Sequence, residues 1–500
     1  MHTCKPQALV IALAFLALPV MAADFCVGDA ASLTAALNVA HNNAEDDSIM
    51  IHSGTIVGNF AYNANAAESG DLTLRGGFDA TCATSSGNSD DTVIDGGGVG
   101  PTLVLSGRDN STLEIGELTV TGGTAQTQGG GLDIDRWVNV QIINNHIVAN
   151  GALPGLGGTA GIEVDAGVNV AIERNVFADN AGHDSGGLSI SGMDVATVRA
   201  NIFVRNSAVD GGGGLDLTSE SIALIANNLF DANSSAQDGG GMSIRSESVN
   251  GSALLQIVNN TLANNQAAQD GGGAELNLTG DVTRSLLLNN LFWNNSAGAL
   301  GDDLSIDNDD DDNGIAALTD IETNNFDQTP LLGFDSRLPI ALSPSNFDAL
   351  DPLFSGPGNF SLSPASPLID AGTSAAPGVS SVDLAGAPRF QGAAIDLGAL
   401  ETGIDADGDG IADSNDNCTL RPNGDQRDTT GDGFGNVCDA DLNNDGAVNI
   451  VDLGLLRLAF FSTDADADFN GDGIVNSTDL GQMRALFGQP PGPSGLVTGR

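Results

Sequence analysis

The chain has 500 residues, more than one ordinary domain of about 150 residues accounts for. Acids outnumber bases 65 to 16, a formal charge of −49, yet hydrophobic residues make up 41% and mean hydropathy is near zero. That balance excludes a simple disordered acidic chain, which lacks apolar residues for a core, and excludes nucleic acid as a partner, because phosphates must be neutralised by Lys and Arg.

At the N-terminus, His2 and Lys5 precede an apolar stretch from Ala8 to Leu18, and small residues follow to Ala23. This order predicts a cleaved export signal over 1–22; the apolar run is shorter than the ~20 residues of a membrane span. No later segment is apolar enough to cross a bilayer, so a secreted, extracellular or cell-surface location is expected. Beyond the signal stand Cys26, Cys82, Cys418 and Cys438. Four cysteines allow three pairings, and the wide gap favours Cys26–Cys82 and Cys418–Cys438. Residues 31–41 predict an amphipathic capping helix with Leu33, Ala36, Leu37 and Ala40 on one face.

A phrase then recurs six times at near-regular steps: Asn145-x-Ile147-x-x-Asn150, and its equivalents starting at Asn175, Asn201, Asn228, Asn260 and Asn290. A Gly-rich run and a short alternating strand accompany it, as in Gly131-Leu132-Asp133-Ile134 and Gly241-Met242-Ser243-Ile244. Such a unit cannot bury its apolar face alone, but stacked copies build one core. Parallel stacking predicts an asparagine ladder, with glycines taking positive φ at the corners. The expected fold class is all-β, a right-handed parallel β-helix over 23–402. The stretch 351–401 is expected to close its far end.

The closing phrases Asp383-Leu-Ala-Gly-Ala-Pro-Arg389 and Asp396-Leu-Gly-Ala-Leu-Glu401 carry a resemblance. Residues 24–402 resemble the exported right-handed β-helix proteins related to pectate lyases and polymorphic outer-membrane proteins. The resemblance implies a fold rather than a reaction.

After Gly403 the composition changes: seventeen Asp and three Arg lie between Asp405 and Asp479. Asp441, Asn443, Asp445, Asn449 and Asp452 fall at positions 1, 3, 5, 9 and 12 of a calcium loop. Ala447 offers its carbonyl at position 7, and Gly446 makes the turn. The same pattern returns downstream with Asp468, Asn470, Asp472, Ile474, Asn476 and Asp479, and each loop runs into a short apolar helix. Residues 441–488 resemble a type I dockerin, a small EF-hand-like module. That resemblance implies a cohesin-bearing partner met by the pair at loop positions 10 and 11. Ser477 and Thr478 keep the family's Ser-Thr pair, but Ile450 and Val451 replace it in the first loop, which argues against two-way docking. Upstream, Asp405, Asp407, Asp409, Asp413, Asp416, Asp428, Asp432 and Asp439, with Cys418 and Cys438, resemble a thrombospondin type 3 repeat that would also hold Ca²⁺. The expected domains are thus 1–22, 23–402, 403–439, 440–488 and a tail, 489–500.

Catalytic candidates are weaker. Alternation points Asp133 and Asp135 outward on one coil and Glu163 and Asp165 on the next, with Arg245 on the same line. Acids on adjacent coils fit retaining glycosidase spacing, or could hold Ca²⁺ beside an Arg base as in related lyases; in so acidic a chain, solvated outward carboxylates are the simpler expectation. Asp184, Asp210, Asp238 and Asp270 precede Gly-rich turns and read as turn formers. Tyr62, Trp137 and Trp293, far apart in the chain, offer no sugar-stacking platform. The leading functional expectation is a secreted calcium-binding surface or matrix protein. A polysaccharide lyase or glycoside hydrolase docked to a scaffold, or a glycan-binding adhesin, is the alternative.

Overall fold

The structure, a computed structural model, describes residues 23–497 apart from 66–69, 109, 154, 166, 308–318, 329–341, 375–376, 404 and 410. The expected signal, 1–22, therefore lies outside the described residues. The chain divides into two compact units, Met1–Val195 and Ala196–Arg500. No helix among the described residues is long and apolar enough to cross a membrane.

In the first unit, Asp29 caps helix α1 (Ala30–Ala40) by accepting the Ser32 N–H at 2.7 Å. The helix buries Leu33, Ala36, Leu37 and Ala40, the face the sequence predicts. Cys26 and Cys82 form the expected disulfide. Each full coil has three main strands, stacked in parallel on the next. Leu132–Asp135 pairs with Ile162–Asp165, Asn139–Ile143 with Asn169–Glu173, and His146–Val148 with Val176–Ala178. The inward residues meet their equivalents: Leu132 faces Ile162, Ile142 faces Ile172, and Ile147 faces Phe177, all buried.

The corners are made by asparagine. Asn145 donates both its backbone N–H and its side-chain Nδ2 to Asn175 Oδ1, at 2.9 and 3.0 Å, and Asn150 does the same to Asn180. The residue before each is left-handed, but it is not the glycine expected from the sequence: Asn144, Ala149, Arg174 and Asp179 have φ between 53 and 58°. Holding a non-glycine residue there costs roughly 1 kcal/mol or more; the two-sided bonding of the buried amide that follows offsets it. Glycines take the left-handed region elsewhere, in the Gly-rich turns, as at Gly239 and Gly271 with φ 67°; others serve close approach, a Cβ on Gly161 lying 2.0 Å from Gly187 O.

The second unit repeats the device over more coils. One ladder runs Asn201, Asn228, Asn260, Asn290, Asn324, and another Asn206, Asn233, Asn265, Asn295. Inside it, Phe203, Phe230, Leu262 and Phe292 stack in register, the first two rings parallel with centroids 4.6 Å apart.

The stretch 351–401 departs from expectation. Instead of simply closing the end, it runs along the side of three successive coils. Asn227 donates to Val382 O at 2.8 Å, Asn259 to Gly398 O at 3.4 Å, and Asn289 to Thr373 O at 3.1 Å. These are left-handed corner residues whose side chains point out of the coil with donors to satisfy. The two closing phrases form a knot of buried charge. Arg389 is fully buried and donates to Gly398 O, with Nε 3.8 Å from Glu401 Oε2, while Asp383 accepts the Glu401 N–H at 2.9 Å.

Helices α2 (Ile450–Ala459) and α3 (Ser477–Leu486) end the chain around a core of their own. Val448, Leu456 and Ala440 in the first half are matched by Val475, Met483 and Ala467 in the second. The backbone repeats the pairing: Phe461 and Ser462 bond Val475, and Gly488 and Gln489 bond Val448. Cys418 and Cys438 are bridged as expected. The segment called a tail folds back, Gly495 N–H bonding Asp416 O at 2.8 Å and Thr419 N–H bonding Pro493 O at 3.1 Å.

Asn260→Ala should test the ladder. It leaves the buried Asn228 backbone N–H without its acceptor and removes the Nδ2 bonds to Asn290 Oδ1 and the Ile225 carbonyl, while Asn290 Oδ1 keeps the residue-260 N–H. It should cost about 3 kcal/mol in denaturant unfolding; a loss below ~0.5 kcal/mol would contradict the ladder's role.

Candidate functional site

Register places Asp133 opposite Glu163 and Asp135 opposite Asp165, with strand axes about 4.8 Å apart. The expectation that these acids are solvated is corrected for the inner pair. Asp133 is only 7% exposed and Glu163 is half-buried, whereas Asp165 is exposed. The cause is the Gly-rich turn, which folds back over the strand: a Cβ on Gly129 would lie 3.1 Å from the Asp133 Cα. Burial, reinforced by Asp135 and Asp165, pushes the Asp133 carboxyl up to about 6. Burial and then Asp133 push Glu163 up to about 7, although Glu163 accepts the Thr159 N–H. Asp135 Oδ1 is buried without a hydrogen-bond partner, while its Oδ2 meets Arg136 at 3.2 Å.

In the second unit, Arg245 is exposed and stands in register with Thr218 and Asn277. One row over, Glu275 accepts the Ser243 hydroxyl at 2.8 Å, and burial lifts it to about 7. The same roofing recurs: a Cβ on Gly271 would lie 2.8 Å from that of Glu275. The aspartates ahead of the turns, expected to act as turn formers, bond the backbone of a neighbouring coil. Asp184 accepts the Gly158 N–H at 2.6 Å, and Asp238 accepts that of Asp270 at 2.9 Å. Tyr62 and Trp137, expected to be far apart, stack with centroids 5.6 Å apart, but both are buried inside the coil and present no platform.

The C-terminal loops are two copies of one geometry. Asp441 accepts the N–H groups of Asp445 and Gly446 at 3.1 and 2.5 Å; Asp468 accepts those of Asp472 and Gly473 at 3.2 and 2.8 Å. Asn443 and Asn470 accept the same Asp445 and Asp472 amides. Asn449 and Asn476 cap α2 and α3 and bond the carbonyls of Ala447 and Ile474 at 2.9 and 3.0 Å. Asp452 and Asp479 are fully buried, each accepting from the cap backbone at 2.7 and 2.8 Å. Ser477 and Thr478 are exposed at the start of α3, as are Ile450 and Val451 on α2.

Upstream, one oxygen each of Asp405, Asp407 and Asp409 lies within 4.8 Å of the others. Asp407 Oδ2 and Asp416 Oδ2 are buried with no hydrogen-bond partner. Asp413 accepts the Ala406 N–H, and Asp428 those of Gly431 and Gly433 at 2.7 and 2.9 Å. Burial, then Asp432, Asp441 and Asp428, push Asp439 up to about 7. Crowded carboxylates with unspent oxygens are what a hard divalent cation requires; the donor set fits Ca²⁺. Sequence reasoning passed over Arg427, whose guanidinium bonds Asp468 O and lies 3.8 Å from Asp468 Oδ2, tying this segment to the second loop. As one of three arginines among these aspartates, it could have been singled out.

Residues 130–319 match the family model described as a right handed beta helix region. No curated protein and no solved structure matches the chain. With the parallel register above, the match makes this a right-handed parallel β-helix repeat protein.

Asp133 and Glu163 bind protons more tightly folded than unfolded, so their contribution is full below about pH 4 and lost as pH rises through 6 to 7. Asp133→Asn should therefore melt higher than the native chain near pH 8, by ~3 °C for about 1 kcal/mol after solvent screening. Near pH 4 the two should coincide. A variant melting lower than native at pH 8 would show instead that the ionised carboxylate is stabilised.

Proposed function

We propose that this is an exported β-helix protein of the cell surface or extracellular matrix, attached and stiffened through a C-terminal segment that binds Ca²⁺. The duplicated loop carries the reading: oxygens at loop positions 1, 3, 5, 9 and 12 recur in the second copy with the same local bonding. Acidic surface decoration has no reason to repeat in this way. Asp441, Asn443, Asp445, Asn449, Asp452 and the Ala447 carbonyl would hold one ion, and Asp468, Asn470, Asp472, Asn476, Asp479 and the Ile474 carbonyl another. The eight upstream aspartates named above, Asp405, Asp407, Asp409, Asp413, Asp416, Asp428, Asp432 and Asp439, would hold more. The ion neutralises charge that these residues otherwise confine at close range. A dockerin-type module would take a cohesin-bearing partner through the exposed Ser477 and Thr478. The unlike Ile450 and Val451 favour a single docking orientation.

Calorimetric titration of the chain lacking 1–22 tests this. Ca²⁺ should bind, and Asp445→Ala with Asp472→Ala should lower the stoichiometry by about two ions, each loop losing a charged ligand. No binding at millimolar Ca²⁺ would overturn the reading.

One observation favours a second reading, a carbohydrate-active enzyme. Asp133 and Glu163 sit on adjacent strands with raised affinity for protons, the environment of a general acid. If they act so, a panel of neutral and acidic polysaccharides should reveal cleavage, and Glu163→Gln should reduce it by roughly 100-fold or more. An unaffected rate would remove Glu163 from the chemistry.

A further inference from the structure

An open cavity of about 570 Å³ lies beside the antiparallel hairpin Phe354–Gly356 and Asn359–Leu362, where the side cap leads into the first acidic loop. Its size is within the ~300–1,000 Å³ of small-molecule sites. The hairpin sends Ser355, Asn359 and Ser361 into its wall. Ser355 and Asn359 are exposed and Ser361 is half-buried; the two hydroxyls and the Asn359 Nδ2 face the opening with no partner among the described residues, while Asn359 Oδ1 accepts the Ser361 N–H at 3.1 Å. Glu401 also lines the cavity; its side chain is 1% exposed, and its Oε1 has no hydrogen-bond partner. Leu362, Pro364 and Ile369 supply an apolar patch among these groups.

The wall selects its ligand by charge. It includes no Lys, Arg or His, and Asp370 and Asp405 stand in it. Asp370 therefore repels an anion, and so does Asp405 wherever it holds no ion. The two aspartates already accept backbone N–H groups, Asp370 from Ala394 at 2.9 Å and Asp405 from Gly408 at 2.8 Å. Much of the unspent capacity is thus in neutral donors and acceptors set beside an apolar patch. That combination suits a sugar ring, whose hydroxyls need such partners and whose C–H face packs on aliphatic carbon. We propose that this cavity binds the neutral end of a saccharide, one or two sugar units long. The proposal goes beyond the attachment reading and does not rest on it.

The test is calorimetry, supported by saturation-transfer NMR, on the whole chain lacking 1–22 in saturating Ca²⁺. The probes are glucose, galactose, mannose, xylose, cellobiose and lactose, with galacturonate as the anionic counterpart. At least one neutral sugar should bind with millimolar affinity. Ser361→Phe, which fills the cavity, should abolish binding. The gentler double change Ser355→Ala with Asn359→Ala should weaken it about tenfold or more, two hydrogen bonds to the sugar being lost, while the chain stays folded by circular dichroism. The proposal is overturned if no neutral sugar binds or if the double variant binds as well as the native chain.

Discussion

Everything in the solenoid depends on one constraint: parallel strands about 4.8 Å apart place each residue over its equivalent on the next coil. A residue at such a position must tolerate a copy of itself as neighbour. Asparagine does, because its amide both donates and accepts. Asn260 takes bonds from Asn228 and passes them to Asn290 without leaving a buried polar group unpaired at the join. Phenylalanine does so by stacking, as Phe203 does on Phe230. A carboxylate does not. Where Asp133 meets Glu163, the same register that secures the ladders brings like charges together under a glycine turn, and both acids ionise only at higher pH than usual.

The C-terminal segment solves the opposite problem. Its core is small, centred on residues such as Val448, Leu456, Val475 and Met483, and is surrounded by aspartates. No ladder is available, so the fold relies on a disulfide, on Asp452 and Asp479 bonding the cap backbone of their helices, and on loops whose oxygens converge. Charge that costs stability in the solenoid would here, in the proposed reading, be neutralised by a cation. The two regimes of acid differ in neighbour geometry, not in composition.

The legible features were those in which spacing determines contact. Asparagines recurring at a fixed offset must occupy successive corners, a helix with Leu33 and Leu37 one turn apart must bury that face, and twin Asp/Asn loops of one pattern must fold alike. What escaped depended on paths between strands. Asp133 reads as outward because it alternates with Ile134, and only the return of the turn through Gly129 buries it. The left-handed corners at Ala149 and Arg174 carry no glycine signal, since the bond that makes them tolerable belongs to the following asparagine. The cap's course along the coils follows from the outward amides of Asn227, Asn259 and Asn289, which a sequence pattern does not distinguish from ladder residues. Tyr62 met Trp137 because the coil brought distant segments into one layer.

Two sources of order in one chain, one built into side-chain ladders and one proposed to come from a cation, can be separated by amide hydrogen exchange with and without Ca²⁺. The ladder-bearing coils between Leu132 and Phe326 should keep the same protection in both conditions. Residues 405–488 should be protected in Ca²⁺ and should exchange much faster in EGTA. Equal protection of that segment in EGTA, or loss of protection in the coils, would contradict the account.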